Sequence, residues 1–422
     1  MKRYALTHSL KCFMHYEFYQ LHIILDSYLI KLNCEKRAKF HISTMASKDH
    51  QIKNGGWMFF LIIFIDMLSN GLIDGSKVSN PKTEESEDDI IKCVDIYKQP
   101  AFSHPFLKNH TIQMKPSSGG LRERKNTKLL QEWNKKASCP EGTIPILKSQ
   151  KFSNEHKVAS VLSKRMQPHV FDVNSGALEY CQFIINSGTY FGASGGFNIW
   201  HPTIYGEEFS SSQMWVQAGS GHDLNSLEAG WRVLSGETKT SFFIYWTTDI
   251  DEKTGCYNLE CPGFVQTNNK IALGYDILPI SIYGGKQYDI EITIFKDMKN
   301  GNWWLEMNGE AVGYWHPAIL TSLSKQADTI SWGGKIYNSQ TNGRHTSTQM
   351  GSGHPSNEGN GKASMIYNVR YVDELGGFIV PEDIKFLESN PDCYNITFGD
   401  TPLNDRGMYF YFGGPGFSKD CP

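Results

Sequence analysis

No run of 18 or more apolar residues occurs anywhere in the 422 residues, so no segment has the length of a membrane-spanning helix. Neither sign of charge dominates. Lys and Arg number 41 against 44 Asp and Glu, a formal net charge of -3 that lacks the basic field of a nucleic-acid-binding protein. P-loop, HExxH and kinase signatures are absent, and no close Cys/His pair recurs at zinc spacing, so neither a cofactor nor a metal is expected. Helix-forming residues are not enriched. Gly 39, Tyr 20, Phe 24 and Trp 10 are high counts instead, a mixture that suits twisted sheets joined by many turns.

The chain divides by composition. Residues 1–56 are irregular, carry Cys12 and Cys34, and read as an extension outside the fold. Trp57 to Ile65 is an apolar run preceded by Lys48 and Lys53 and closed by Asp66. It has the length of a secretory h-region and is too short for a span, so 57–75 is expected to be signal-like, with Met45 as an internal start. A buried strand or core helix is the alternative. The acidic run Glu84 to Asp89 reads as a solvated linker within a smaller domain over 76–157. The prolines at 100, 105 and 116 forbid long helices there and predict an extended segment laid against something else. Cleavage is expected within 148–164, ahead of a larger domain over 158–422. In that domain short apolar or alternating runs recur between Gly, Asn and Asp. They include Ser241–Thr247, Gln287–Phe295 and Asn302–Met307, the last running into Asn308-Gly309. A strand followed by Asn-Gly and a second strand is a strong hairpin signal. Many short strands without intervening helices predict an all-β, antiparallel sandwich or barrel.

The cysteines number nine. Cys256 and Cys261 are close enough to close a tight loop, Cys393 and Cys421 are placed to tie down the C-terminal tail, and Cys93 pairs with Cys139, leaving Cys181 buried and free. Reduced cytosolic thiols or a zinc site are the alternatives. The sequons Asn109-His110-Thr111 and Asn395-Ile396-Thr397 have meaning only in a secreted chain, and with the signal-like run they favour an oxidising compartment.

Among catalytic patterns, Gly192-Ala193-Ser194-Gly195-Gly196 matches a nucleophile elbow, but the sequence after it reads as turns and strands, not as the helix an elbow needs. His201, His222, His345 and His354 share neither helical nor zinc spacing, so ordinary hydrogen-bonding roles are expected. Glu228 lies between small and apolar neighbours near Trp231, where desolvation would raise its pKa towards acid–base use; an exposed strand glutamate is the plainer reading.

Several longer strings carry a resemblance. Glu228-Ala229-Gly230-Trp231, Tyr245-Trp246-Thr247, Thr254 to Gln266, Trp332-Gly333-Gly334 and His345 to His354 resemble the plant neprosin family. Asp95 to Pro105 and Cys139 to Ile146 are similar to that family's activation peptide. The resemblance implies a secreted proenzyme, sent to the cell wall or vacuole, with a β-sandwich catalytic domain held by its own activation peptide. It implies glutamic peptidase chemistry that cuts after proline in acid, where one carboxylate takes a proton from water while a second carboxyl donates.

Glu228 matches the first family glutamate. The second belongs to Trp-Gly-Gly-Glu, and this chain reads Trp332-Gly333-Gly334-Lys335. Lysine cannot take up the proton, and an ion pair with Glu228 would hold that carboxylate ionised. Activity is therefore expected to be lost or severely weakened, leaving a binder of proline-rich peptides. Eight of the ten tryptophans lie between Trp200 and Trp332, and Trp231, Trp332 and Tyr245 are expected to line an aromatic groove for such chains. A working endopeptidase with another partner for Glu228, and a carbohydrate- or wall-binding sandwich, are the alternatives.

Overall fold

The computed structural model describes residues 91–117, 131, 133, 138–148, 177–249, 254–340, 344–399 and 406–422. All of them belong to one unit, Glu84–Pro422. The N-terminal extension, the signal-like run and all of the expected cleavage region but Lys148 lie outside the described residues, as does the expected boundary at 157/158.

The fold is all-β and antiparallel. A seven-stranded sheet runs in the order β17 (Lys385–Glu388), β3 (Ala177–Tyr190), β13 (Ala327–Asn338), β5 (Phe209–Ala218), β6 (Asn225–Leu234), β7 (Ser241–Thr247) and β8 (Cys256–Tyr257). The second sheet has ten strands, its main path being β14 (Met350–Gly351), β19 (Tyr409–Gly414), β15 (Ser364–Val372), β4 (Gly192–Asn198), β10 (Asp289–Lys296), β11 (Trp303–Met307), β12 (Glu310–Trp315) and β9 (Phe264–Gln266). The short strands β16 (Phe378–Ile379) and β18 (Asn395–Phe398) pair with β15 and β19. Period-two patterning drives the assembly. In β10, Ile290, Ile292 and Ile294 alternate with polar residues and are fully buried, as β-branched side chains on a covered sheet face should be.

Asn308 and Gly309 both have positive φ, 51° and 73°, which joins β11 to β12 through the tight turn expected of an Asn-Gly pair. Gly192–Gly196 is buried strand β4, so no nucleophile elbow forms. Ser-Gln-Met and Gly-Ser-Gly-His within 212–222 echo Thr-Gln-Met-Gly-Ser-Gly-His at 348–354, but the two are not equivalent hairpins: one lies in β5 and its turn, the other around β14 at the edge of the other sheet.

The two sheets pack face to face. Trp231 Nε1 donates to the Asn198 carbonyl of β4 at 2.9 Å, and a side chain at Gly195 of β4 would touch the Trp332 ring at 3.4 Å. All eight tryptophans from Trp200 to Trp332 are buried. Disulfides join Cys93 to Cys139, Cys256 to Cys261 and Cys393 to Cys421, and Cys181 is free and buried.

The N-terminal segment forms its own hairpin, β1 (Ile91–Asp95) with β2 (Thr143–Leu147), followed after β1 by three short 3-10 turns and extended chain. It is strapped to the sandwich by side-chain amides acting as strand mimics. Gln99 donates to the Gln266 carbonyl at 3.0 Å and accepts from its N–H at 2.7 Å, capping edge strand β9. Gln131 does the same with Ala272, at 2.8 Å in both directions. The Gln99 bonds satisfy groups of the β9 edge that would otherwise template aggregation.

Candidate active site

Register decides which side chains share a face. Across β7, β6, β5 and β13, Tyr245, Glu228, Trp215 and Ser331 lie level with one another. Two residues along, the rung is Phe243, Gly230, Gln213 and Gly333; two further along it is Ser241, Arg232, Ser211 and Lys335. Side chains alternate along a strand, so Glu228 and Lys335 share one face of the seven-stranded sheet. Trp231 and Trp332 point through the opposite face into the ten-stranded sheet.

This corrects the expected groove. Trp231 and Trp332 are 0% exposed, with Trp332 edge-on to Phe183 at 5.9 Å, so both are core residues that cannot line a site around Glu228. Tyr245 does lie on the site face, directly opposite Glu228, with its ring 4.6 Å from Tyr257. The aromatic wall on the other side of Glu228 is Trp215, itself edge-on to Tyr180 at 6.4 Å.

Glu228 is 6% exposed and held in a directed chain of hydrogen bonds. Ser211 Oγ donates to Gln213 Oε1 at 2.6 Å, and Gln213 Nε2 donates to Glu228 Oε2 at 2.5 Å. From the other side Gln217 Nε2 donates to Ser226 Oγ at 3.3 Å, and Ser226 Oγ donates to Glu228 Oε1 at 3.0 Å. Both carboxylate oxygens therefore act as acceptors, the pattern of an ionised carboxylate and of a base aimed by its surroundings. The plainer reading of Glu228 as an exposed strand residue does not hold.

Gly230 and Gly333 leave Gln213 flanked by bare backbone on both sides. A Cβ at Gly230 would meet the Ser212 carbonyl at 2.1 Å and the Gln213 Cβ at 2.6 Å, so the strands are too close there for any side chain. This rung lies between that of Glu228 and that of Arg232 and Lys335. The Arg232 guanidinium lies 4.2 Å from the Tyr257 ring centroid and 5.4 Å from that of Phe243. Lys335 is 6% exposed, and its Nζ lies 5.9 Å from the centroid of Phe209, which packs with Tyr337, Leu178 and Leu234.

The histidines behave as hydrogen-bonding residues. His201 Nδ1 contacts Thr240 Oγ1 at 3.2 Å, and His354 Nδ1 pairs with Glu358 at 3.0 Å. His345 lies at the end of the sandwich core, where its Nε2 meets Glu179 at 2.9 and 3.0 Å and its Nδ1 meets the Thr346 carbonyl at 2.9 Å. Burial pushes its pKa down, but the bonds to Glu179 and to the Thr346 carbonyl outweigh burial and hold it above the ordinary 6.5. Both ring nitrogens face acceptors, the geometry of an imidazolium. His345 also lies near Cys393 and Cys421. Those sulfurs are joined to each other and supply no thiolate ligand.

Gln213, Ser226 and Trp215 were not singled out from the sequence. The signal for Trp215 was the hairpin itself, because pairing across the 219–224 turn places it opposite Glu228. Gln213 and Ser226 follow only from the same register.

Among solved structures, the chain is similar to scytalido-glutamic peptidase bound to a peptide-based transition state analog, at 10% identity and a TM-score of 0.31, over 57% of this chain and 100% of that one. It is similar over the same shares to SCP-B of the eqolisin family of peptidases, in complex with the tripeptide Ala-Ile-His, at 9% identity and a TM-score of 0.31. An ancestral congerin matches at 13% identity and a TM-score of 0.20, over 36% of this chain and 92% of that one. The neprosin domain model matches residues 206–415, which hold both Glu228 and Lys335, and the neprosin activation peptide model matches residues 83–172. The chain belongs to the neprosin family and carries that family's activation peptide ahead of its domain.

Proposed function

We propose that this is a secreted neprosin-type domain that holds proline-rich peptides beside Glu228 and cleaves them weakly or not at all. The observation that carries this reading is the rung Tyr245–Glu228–Trp215, an acceptor carboxylate between two aromatic side chains on one sheet face, with an ammonium at the second family position. Aromatic rings favour proline because the polyproline II conformation is already ordered and stacks on flat surfaces. Glu228, accepting from Gln213 and Ser226, is suited to drawing a proton from water. Lys335 has no lone pair while charged and cannot complete a two-carboxyl cycle; the loss of one acid–base partner costs on the order of 10²–10⁴ in rate.

One observation favours a second reading, an active enzyme with a different partner. The Gln213 amide touches Glu228 and carries a second N–H, so it offers a donor for the carbonyl oxygen as negative charge develops there. The three disulfides and the exposed sequon residue Asn109 support secretion; Asn395 is half-buried, its Oδ1 accepting from the Ser356 N–H at 2.7 Å.

The deciding experiment incubates the secreted, acid-treated protein with a proline-rich peptide at about pH 3, read by mass spectrometry, with Glu228→Gln as control. Binding without cleavage is expected. Cleavage after proline that the control lacks would overturn the non-catalytic reading in favour of the Gln213-assisted one. Failure to bind or to cut would overturn both.

A further inference from the structure

The contact between residues 104–117 and the sandwich runs through two histidines and Tyr314. His110 Nε2 lies 2.6 Å from the Tyr314 hydroxyl, and the same hydroxyl accepts from the Gln113 N–H at 3.1 Å. Burial pushes Tyr314 up to about 12, so its hydroxyl keeps its proton throughout the acid range. That proton needs an acceptor, and His110 Nε2 supplies it only while unprotonated. His316, just beyond β12, packs its ring edge-on against His110 with centroids 4.6 Å apart. Its Nδ1 accepts from the Ala318 N–H at 3.1 Å, capping a 3-10 turn, which likewise requires a bare nitrogen. His104 does the same for the next turn of the strap, accepting from the Phe106 N–H at 3.3 Å.

Among the described residues, no carboxylate is found to compensate a charge on these rings. His110 and His316 face each other and Tyr314. Tyr97, on the strap, is the other phenol acting on Tyr314. The nearby ammonium of Lys296 is occupied by the carbonyls of Gly301 and Ser324. Asp297 is turned to the strap itself, accepting from Gln113 Nε2 at 2.9 Å and from the Ser117 N–H at 2.8 Å. Protonation of His110 and His316 would therefore place two like charges in contact, strip the Tyr314 proton of its acceptor and uncap the turn after His316.

We propose that the His110–His316 contact is an acid-released latch: neutral rings dock residues 104–117 on the β11–β12 hairpin, and protonation frees that segment while the rest of the strap stays bound. The rest is built from groups that do not titrate in this range: the Gln99–Gln266 and Gln131–Ala272 amide pairs and the Cys93–Cys139 disulfide. Burial lowers the pKa of both histidines, and His110 lowers that of His316 further. Docking is then fully stable above the ordinary histidine value of 6.5 and is lost as the pH falls through the docked-state values. The device concerns docking alone and stands whether or not Glu228 is catalytic.

The test is hydrogen exchange of the intact chain at about pH 7.5 and about pH 4.5, corrected for intrinsic exchange and read on peptides covering 104–117 and 91–99. The expected result is loss of protection in 104–117 on acidification, by roughly tenfold in the opening equilibrium per pH unit for each proton excluded, with 91–99 unchanged. The His110→Gln/His316→Asn variant, whose side-chain oxygens keep the acceptor roles, should stay protected at both values. Equal protection of the wild type across the range, or parallel loss in the variant, overturns the latch. Should the variant not dock at neutral pH, the ring titrations of the wild-type histidines by NMR decide instead. Values below 6.5 for His110 and His316 in the intact chain support the latch, and values at or above 6.5 sink it.

Discussion

Gln213 donates to Glu228 across adjacent strands at 2.5 Å, and its neighbours in β6 and β13, Gly230 and Gly333, are both glycine. The amide thus aims the carboxylate, and removing it should cost that bond. Gln213→Leu should destabilise the domain by about 1.5–3 kcal/mol, the usual worth of a hydrogen bond to a charged group. Urea unfolding at neutral pH checks this, and an unchanged midpoint would mean that water replaces the amide.

Restoring a carboxyl at the second family position should restore chemistry. Lys335→Glu is expected to raise acid cleavage after proline by on the order of 10²-fold or more, and adding Glu228→Gln should abolish the gain. Product formation from a proline-containing peptide measures it. A folded Lys335→Glu protein that stays inert would mean these two positions do not form the pair.

The tryptophans should separate by face. Trp231→Ala and Trp332→Ala are expected to cost about 3–5 kcal/mol of stability each, because each empties a fully buried site. Trp215→Ala and Tyr245→Ala should weaken peptide binding, and Trp332→Phe should leave the dissociation constant unchanged. Calorimetric titration with a proline-rich peptide distinguishes them.

His345 should make the sandwich more stable in acid. Its folded pKa is raised, so its contribution is complete below 6.5 and fades as the pH rises through the folded value. Breaking the buried pair with Glu179→Gln should cost about 3–5 kcal/mol. Unfolding midpoints measured from pH 5 to pH 8 should slope downward in the wild type by an amount that His345→Gln removes. This sign is opposite to that of the His110–His316 latch, so the same acidification that loosens 104–117 firms the His345–Glu179 contact.

Much of the fold was legible because its signals are local. Asn308-Gly309 fixed one hairpin by the φ values it allows, Ser241–Thr247 is β7 residue for residue, and the cysteine spacings matched the three bridges that form. The opposite facing of Glu228 and Trp231, and of Trp332 and Lys335, was also implicit in the sequence: each pair is three residues apart, and a strand has period two. What the sequence could not say is which face the second sheet covers. That choice turned Trp231 and Trp332 from expected groove walls into core.

The sequence by itself determined the strand periods, the turns, the family motifs and the lysine at position 335, because each is written in a few adjacent residues. Tertiary structure alone decided that Ser211 and Lys335, 124 positions apart, share a rung, that Gln213 donates to Glu228, and that His110 meets His316. These depend on register between distant strands, which follows from the packing of two whole sheets and the closing of long loops, and no short stretch of sequence encodes either.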